Sequence, residues 1–177
     1  MTIRNLEKMF APKSLALIGA SDKERSVGHV LMQNVLKSGF GGPVMPVNPN
    51  HASLGGMTCY PDVKSLPETP DLAVLCVAAE HVPPAVAELG ARGTKAAVVI
   101  SAGFSETGTP EGKALGEALL AAARPHNLRL IGPNCVGIMV PGAKLNASFA
   151  HISPAPGSLA FVSQSGALCT AILDYVA

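Results

Sequence analysis

The sequence predicts an α/β fold, a Rossmann-like doubly wound parallel sheet, and three observations carry that reading. Short apolar runs such as Leu72 to Val77 and Ala96 to Ser101 alternate with segments of helical period, the pattern of βαβ units. Runs without polar alternation suit strands covered on both faces. The first strand candidate, Ser14 to Gly19, passes into a glycine-containing turn, "GASDKERSVG", and then into a helix, as nucleotide-binding α/β domains do.

The remaining elements follow in order. A helix is predicted over Val27 to Ser38, with Val27, Val30, Leu31, Asn34 and Val35 near one face and Gly39 as its stop. "PVMPVNP", from Pro43, is a second strand whose prolines suit its ends. His51 to Asp71 is rich in Gly, Pro, Ser and Thr and reads as a long connection with one short strand at Met57 to Tyr60. Leu72 to Val77 is the next strand. "EHVPPAVAELGARG" is a helix entered through prolines in its first turn and closed by Gly93. Ala96 to Ser101 is another central strand, Pro110 to Asn127 a long alanine-rich helix, and Arg129 to Ile131 a fifth strand. After "IGPNCVGIMVPG" the pattern changes. "HISPAPGS" reads as a linker, and "LAFVSQSGALCTAILDYVA" then begins a new strand, turn and helix. The expected organisation is a first domain over residues 1–150, a linker over 151–157 and the start of a second domain over 158–177. A lone βα unit cannot bury its own sheet edge and both helix faces, so the polypeptide is expected to be the front part of a longer protein.

Composition narrows the function. The 177 residues are 48% hydrophobic but only 4% aromatic, with no Trp, so the core must be aliphatic. A formal charge of +1, with no long basic run, offers no footprint for nucleic acid or an anionic membrane. The start, "MTIRNLEKMFAPKS", has no apolar stretch of the kind a signal peptide needs, and no segment approaches a membrane span; a cytoplasmic, soluble chain is expected. Cys59, Cys76, Cys135 and Cys169 are widely separated, with no C-x-x-C pair, so neither a zinc site nor any other metal site is expected.

In an open parallel sheet, ligands bind beyond the carboxyl ends of the strands, which directs attention to the loops there. The first loop suits phosphate. Gly19 permits unusual dihedrals and close approach, Ser26 is a plausible helix cap, and the amides of Val27 and Gly28 present a positive dipole end. Ser21 and Ser26 can add hydroxyl bonds, and Lys23 and Arg25 supply charge. The dinucleotide fingerprint is absent: Ser21 stands where the second Gly of G-x-G-x-x-G belongs, and the second strand ends in Asn48, Pro49, Asn50 and His51 rather than in a ribose-binding acid. A nucleotide with phosphates but no ribose-diol anchor fits better.

Six ordered motifs, "IGASDKERSVGHVL", "PVNPN", "DLAVLCVAAEHVPPAVAELGARG", "AAVVISAGFSETG", "RLIGPNCVGIM" and "GSLAFVSQSGAL", resemble the coenzyme A-binding region of the NDP-forming acyl-CoA synthetases. That group includes the ADP-forming acetyl-CoA synthetases and the succinyl-CoA synthetase alpha subunits; Pat-type protein acetyltransferases, which carry a similar region, look especially close. The resemblance implies that Gly19, Ala20, Ser21 and Gly28 line the CoA phosphate and adenosine site through backbone amides. Asn48, Pro49 and Asn50 match a loop where many relatives carry a phosphate-pairing Lys; Asn50 cannot supply that charge, leaving Lys23 or Arg25. Val77 and Ala78 would pack along the nucleotide or pantetheine, Ser101, Ala102 and Gly103 would continue the cradle, and Pro133 and Asn134 would sit near the thiol end. In "SQSGA", Ser163, Ser165 and Gly166 would receive the phosphate carried by a phosphohistidine of the second, flavodoxin-like domain, beyond Ala177.

The implied partners are CoA or acyl-CoA and the remainder of a synthetase, including a nucleotide-grasp domain, or else an acetyltransferase domain. The fragment by itself is expected to be inactive. The competing reading is an NAD(P)-binding domain of an oxidoreductase or redox sensor, against which the missing acid and second Gly count. Among the histidines, His29, His126 and His151 read as solvated or capping, while His51 and His81 lie in loops that can touch ligand. Cys135 reads as a small buried thiol rather than a nucleophile.

Overall fold

The computed structural model describes residues 3–176; Met1, Thr2 and Ala177, which the expected domain limits include, lie outside them. The order is α1 (Leu6–Phe10), β1 (Leu15–Ile18), α2 (Val27–Lys37), β2 (Val44–Val47), β3 (Ser53–Leu54), β4 (Met57–Thr58), β5 (Leu72–Leu75), α3 (Val82–Arg92), β6 (Ala96–Val99), α4 (Pro110–Ala123), β7 (Arg129–Ile131), β8 (Gly137–Val140), β9 (Leu145–Ser148) and α5 (Gly166–Val176). Five strands form one parallel sheet in the order β2-β1-β5-β6-β7. Beyond β2 lies a single parallel bridge, Val47 to Tyr60, where a further strand would stand.

The sheet is wound on both faces, as the apolar runs required. Leu15, Leu17, Leu72, Val74, Ala96 and Val98 point to one layer, with Leu31, Met32 and Val35 of α2. Their neighbours Ala16, Ile18, Ala73, Leu75, Ala97 and Val99 point to the other, with Val82, Val86 and Leu89 of α3 and Leu119 and Ala123 of α4. All twelve of these strand side chains are buried, because alternate residues of a strand face opposite layers and here both layers are covered.

Several elements depart from the sequence reading. Val27 is exposed, and the buried face of α2 runs through Gly28, Leu31, Met32 and Val35. The short strand expected at Met57 to Tyr60 is the hairpin β3–β4 followed by the Tyr60 bridge. The helix expected to reach Asn127 ends at Ala123 and tightens into a 3-10 turn over Arg124–His126, with Asn127 left-handed. The expected strand at "LAFVS" does not form: a strand needs a hydrogen-bonded neighbour, and none lies beside this segment among the described residues. Leu159 and Val162 there are 89% and 95% exposed.

Two elements were not foreseen. Helix α1 is held by the Lys8 ammonium, 2.8 Å from an Asp71 carboxylate oxygen, and by burial of Met9. The hairpin β8–β9 helps to cover the α2 layer, with Ile138, Leu145 and Ala147 in its core. Asn34 of α2 donates to the carbonyls of Ser148 and Ala150, both at 2.8 Å, which ties helix and hairpin together.

Candidate functional site

The chain steps outward from β1 to β2 and returns on the other side of β1 as β5, so the loops leaving β1 and β5 part at the carboxyl edge of the sheet. Such a switch in strand order opens a crevice. An open cleft of about 640 Å³ lies there.

Gly19 begins the turn after β1. Its φ of +95° belongs to glycine, and a Cβ would stand 2.9 Å from the Cys76 carbonyl oxygen. Its N–H donates to the Val47 carbonyl at 2.9 Å, so the end of the sheet fixes the turn. At the other end of the turn, a Cβ on Gly28 would stand 2.0 Å from the Gly19 carbonyl oxygen. The first turn of α2 therefore lies directly on the strand-exit turn, a closeness that requires glycine at position 28. Between them, Ser21 Oγ accepts from the Lys23 amide at 3.0 Å, and Ser26 Oγ accepts from the His29 amide at 3.2 Å and caps the helix. Val27 and Gly28 are among the opening residues of α2, whose amides have no acceptor within the helix. Lys23 and Arg25 are exposed beside this turn.

The loop after β2 is folded back on the same turn. Asn48 Nδ2 donates to the Ala20 carbonyl at 2.8 Å, and Asn48 Oδ1 accepts from the Asn50 amide at 2.9 Å. His51 of this loop lies 3.7 Å from the Asp22 carboxylate, joining the two loops across their mouths. Of the predicted residues, Gly19, Asn48, Pro49, Asn50, Val77 and Ala78 line the cleft itself. Ala20, Ser21, Lys23, Arg25, Val27 and Gly28 form the adjoining turn and do not line it.

Ser101, Ala102, Gly103, Pro133 and Asn134 come together as a second group farther along the same sheet edge. Ser101 Oγ donates to the Val77 carbonyl at 2.5 Å, and the Asn134 amide donates to the Ser101 carbonyl at 2.9 Å. These bonds lace together the loops after β5, β6 and β7. The amides of Gly103 and Phe104 donate to one Glu106 oxygen at 2.7 and 3.1 Å. Burial would raise the Glu106 carboxyl, but these amide bonds outweigh it and the net shift is downward. The Gly103 amide thus already holds a carboxylate of its own loop.

Ser163, Ser165 and Gly166 open α5. Ser163 Oγ accepts from the Ser165 amide at 3.0 Å and Ser165 Oγ from the Leu168 amide at 3.2 Å. A Cβ on Gly166 would meet Val136 Cγ2 at 2.9 Å, so this turn abuts the loop after β7. Of the two half-buried thiols near the sheet edge, Cys76 is pushed by burial up to about 12 and Cys135 up to about 11. Burial thus disfavours the thiolate at both, in keeping with Cys135 as a small buried thiol.

The cleft also has walls the sequence reading missed. Pro61, Asp62 and Val63 form one side, and Pro84, Ala85 and Glu88 of α3 lie on its lining. His81, in a loop that the sequence marks as able to touch ligand, lines it too. Residues 61–63 lie in an irregular connection; Tyr60 pairing beside β2 is what carries them here, and that pairing has no sequence period.

The model of the CoA-binding domain family matches residues 13–141, from just before β1 through β8. This chain belongs to that family. The CoA-binding domain here is 43% identical to the ADP-forming acetate–CoA ligase I of Archaeoglobus fulgidus, over 96% of this chain and 24% of that protein. It is 39% identical to the alpha subunit of the ADP-forming acetate–CoA ligase I of Pyrococcus furiosus, over 97% of this chain and 38% of the subunit. Among solved structures, acetyl-coenzyme A synthetase 1 of Ca. Korarchaeum cryptofilum, determined with phosphate and ADP, superposes with a TM-score of 0.89. The two are 39% identical, over 96% of this chain and 36% of that one. The chain spans about a quarter to two fifths of these relatives.

Coenzyme A is accordingly the cofactor of the domain, and the residues present fit it. The cleft has a volume in the range of small-molecule and cofactor sites, about 300–1,000 Å³. Its walls include Val63, Val77, Pro84 and Ala85, against which an adenine ring can lie, and it borders the Gly19–Gly28 turn and the first amides of α2, which suit phosphate. No helix among the described residues is long and apolar enough to cross a membrane.

Proposed function

We propose that this chain is the CoA-binding part of an ADP-forming acyl-CoA synthetase, which converts acyl-CoA, a nucleoside diphosphate and phosphate to acid, nucleoside triphosphate and CoA, or runs in reverse. The observation that carries the reading is the extent of the similarity. The match to the acetate–CoA ligase covers 170 residues, well past the family limits of 13–141. The linker and the "SQSGA" unit must therefore largely be shared with ligases, and a free-standing CoA-binding domain has no need of them.

In this reading residues 1–150 are the CoA-binding domain, 151–157 a linker and 158–177 the start of a second domain. CoA supplies the thiol that carries the acyl group as a thioester. The chain's own residues bind and orient it. The amides of Val27 and Gly28 face the phosphates, with Lys23 or Arg25 giving the charge that Asn50 lacks. Gly19, Asn48, Pro49, Val77 and Ala78 hold the nucleotide, and the laced loops at Ser101 to Gly103 and Pro133 to Asn134 shape the path toward the thiol. Ser163, Ser165 and Gly166 would take the phosphate in the complete enzyme.

The ligase names of the relatives favour a synthetase over a Pat-type acetyltransferase as parent. Against NAD(P), Asn48, Pro49 and Asn50 offer no carboxylate to a ribose diol, and the 3.0 Å bond from the Lys23 amide already engages Ser21 where the fingerprint wants a second Gly. Calorimetric titration of the chain with CoA, acetyl-CoA, NAD and NADP tests the reading. CoA and acetyl-CoA should bind and the dinucleotides should not; NAD binding more tightly than CoA would overturn it.

A further inference from the structure

The outer wall of the cleft, Pro61 to Val63, has no strand or helix of its own, yet it closes one side of the space assigned to CoA. What holds it is one side chain at the far end of α3. Arg92 Nη1 donates to the Lys64 carbonyl at 3.0 Å, and Nη2 donates to the carbonyls of Leu66 at 2.8 Å and Glu68 at 3.4 Å. The Arg92 carbonyl in turn accepts from Thr69 Oγ1 at 2.8 Å. Three carbonyls of an irregular segment thus converge on one guanidinium, whose planar fork can serve several acceptors at once.

The rest of the connection transmits that anchorage to the wall. Asp62 Oδ1 accepts from the amide and the hydroxyl of Ser65, at 2.8 and 2.7 Å, closing a turn between the wall and the clamped carbonyls. Val63 and Leu66 are 3% and 4% exposed, in the core layer that contains Val86 and Leu89 of α3. Glu88, one helical turn before Arg92, lines the cleft and lies 3.6 Å from the Lys64 ammonium. One end of α3 therefore sets how far the wall stands from Val77 and Ala78. The Arg92 Nε is buried and has no hydrogen-bond partner among the described residues. A buried donor left without a partner is uncommon, and here it accompanies a guanidinium whose two terminal nitrogens reach three carbonyls.

We propose that Arg92 is a positioning residue for CoA, acting through the 61–69 segment to fix the width of the cleft; this rests on the assignment of the cleft to CoA. The test compares the wild-type chain with Arg92→Ala and Arg92→Lys by calorimetric titration with CoA, well below each melting temperature, and by hydrogen exchange of the 61–69 amides. Wild type should bind CoA and bury those amides further on binding. Arg92→Ala should remain folded, exchange faster over 61–69 and bind CoA about tenfold more weakly, a loss somewhat smaller than one charge-assisted hydrogen bond because Arg92 acts through the wall rather than on CoA itself. Millimolar guanidinium should restore part of that loss, which a general loss of stability would not allow. Arg92→Lys, which can reach one carbonyl but not three, should fall between. If wild type binds and folded Arg92→Ala binds within twofold of it, or if CoA leaves the exchange of 61–69 unchanged in wild type, the positioning role is overturned while the CoA assignment stands. If wild type does not bind CoA, the assignment falls and this role with it.

Discussion

Replacing Gly28 with alanine tests the contact on which the first turn is built. The added methyl would stand 2.0 Å from the Gly19 carbonyl oxygen and 3.1 Å from its carbon, with the Ser21 amide nitrogen at 3.4 Å. All three are backbone atoms, so no side chain can swing away, and helix and turn must separate by about 1.5 Å to reach roughly 3.5 Å, the near edge of van der Waals contact. Overpacking of this kind costs about 1–3 kcal/mol. Replacing a helical glycine by alanine returns about 1 kcal/mol. The balance, a loss of up to about 2 kcal/mol, is well below the 5–15 kcal/mol that holds a typical domain together. The variant should therefore fold, with a melting temperature lowered by no more than about 8 °C at this chain length. CoA binding should suffer far more, weakening by at least about tenfold, because the helix amides and the Gly19 wall of the cleft shift relative to each other. Circular dichroism melting and CoA calorimetry on the same preparation decide the matter. A folded variant with an unchanged dissociation constant would remove this turn from the site.

Asn50→Lys, which places a cation on the cleft rim, should tighten CoA binding by about two- to fivefold, the range of an exposed ion pair, and the gain should shrink as salt rises. In calorimetry at low and high salt, Lys23→Ala and Arg25→Ala should identify which cation meets the phosphates, since only that variant should lose its salt-sensitive share of affinity. The raised thiols of Cys76 and Cys135 should resist alkylation by iodoacetamide at pH 8 in the folded chain and react readily in urea, as read by mass spectrometry. Their folded values lie above the ordinary thiol value of 9.0, so the native state keeps protons that the unfolded chain releases. Stability, measured by urea unfolding, should be full below pH 9 and fall as pH rises toward the folded values, and Cys76→Ala should flatten that fall. At Asp71 burial raises the carboxyl, but the Lys8 ammonium and the Lys13 amide outweigh it and hold it low. That contribution is present above the ordinary carboxylate range and is lost as pH falls through the depressed value. Asp71→Asn should cost about 1–3 kcal/mol at neutral pH and flatten the acid limb of the unfolding curve.

What could be read from the sequence follows from which forces are local. The strands of the central sheet are legible because both faces are covered, which forces runs such as Leu72 to Leu75 to be apolar throughout. The helices α2, α3 and α4 are legible from Ser26 as cap, Gly93 as stop and Pro110 at a favoured early position, while the Thr109 cap of α4 shows only in the fold. Helix α1 is not, because its five residues are fixed by a partner at Asp71, far along the chain. The hairpin β8–β9 is hidden for a similar reason: its buried Asn146 and Ser148 bond to each other at 2.6 Å, and an isolated sequence gives such polar residues no cause to be inside.

The candidate site divides along the same line. Its glycine turn is local chemistry, visible as Gly19 and Gly28. Its outer wall is not, because Pro61 to Val63 reach the cleft through the Tyr60 bridge to β2 and through Arg92, contacts made across intervals that carry no period. The loops after β6 and β7 show a third case. Ser101, Gly103 and Asn134 have the residue types of a ligand cradle, yet their polar groups here reach Val77, Glu106 and Ser101. Composition identifies a loop that can bond to a phosphate or amide but not whether those bonds close within the protein. Only the folded arrangement separates the Gly19–Gly28 turn, where the opening amides of α2 have no acceptor within the helix, from the laced loops beside it, whose polar groups bond to one another.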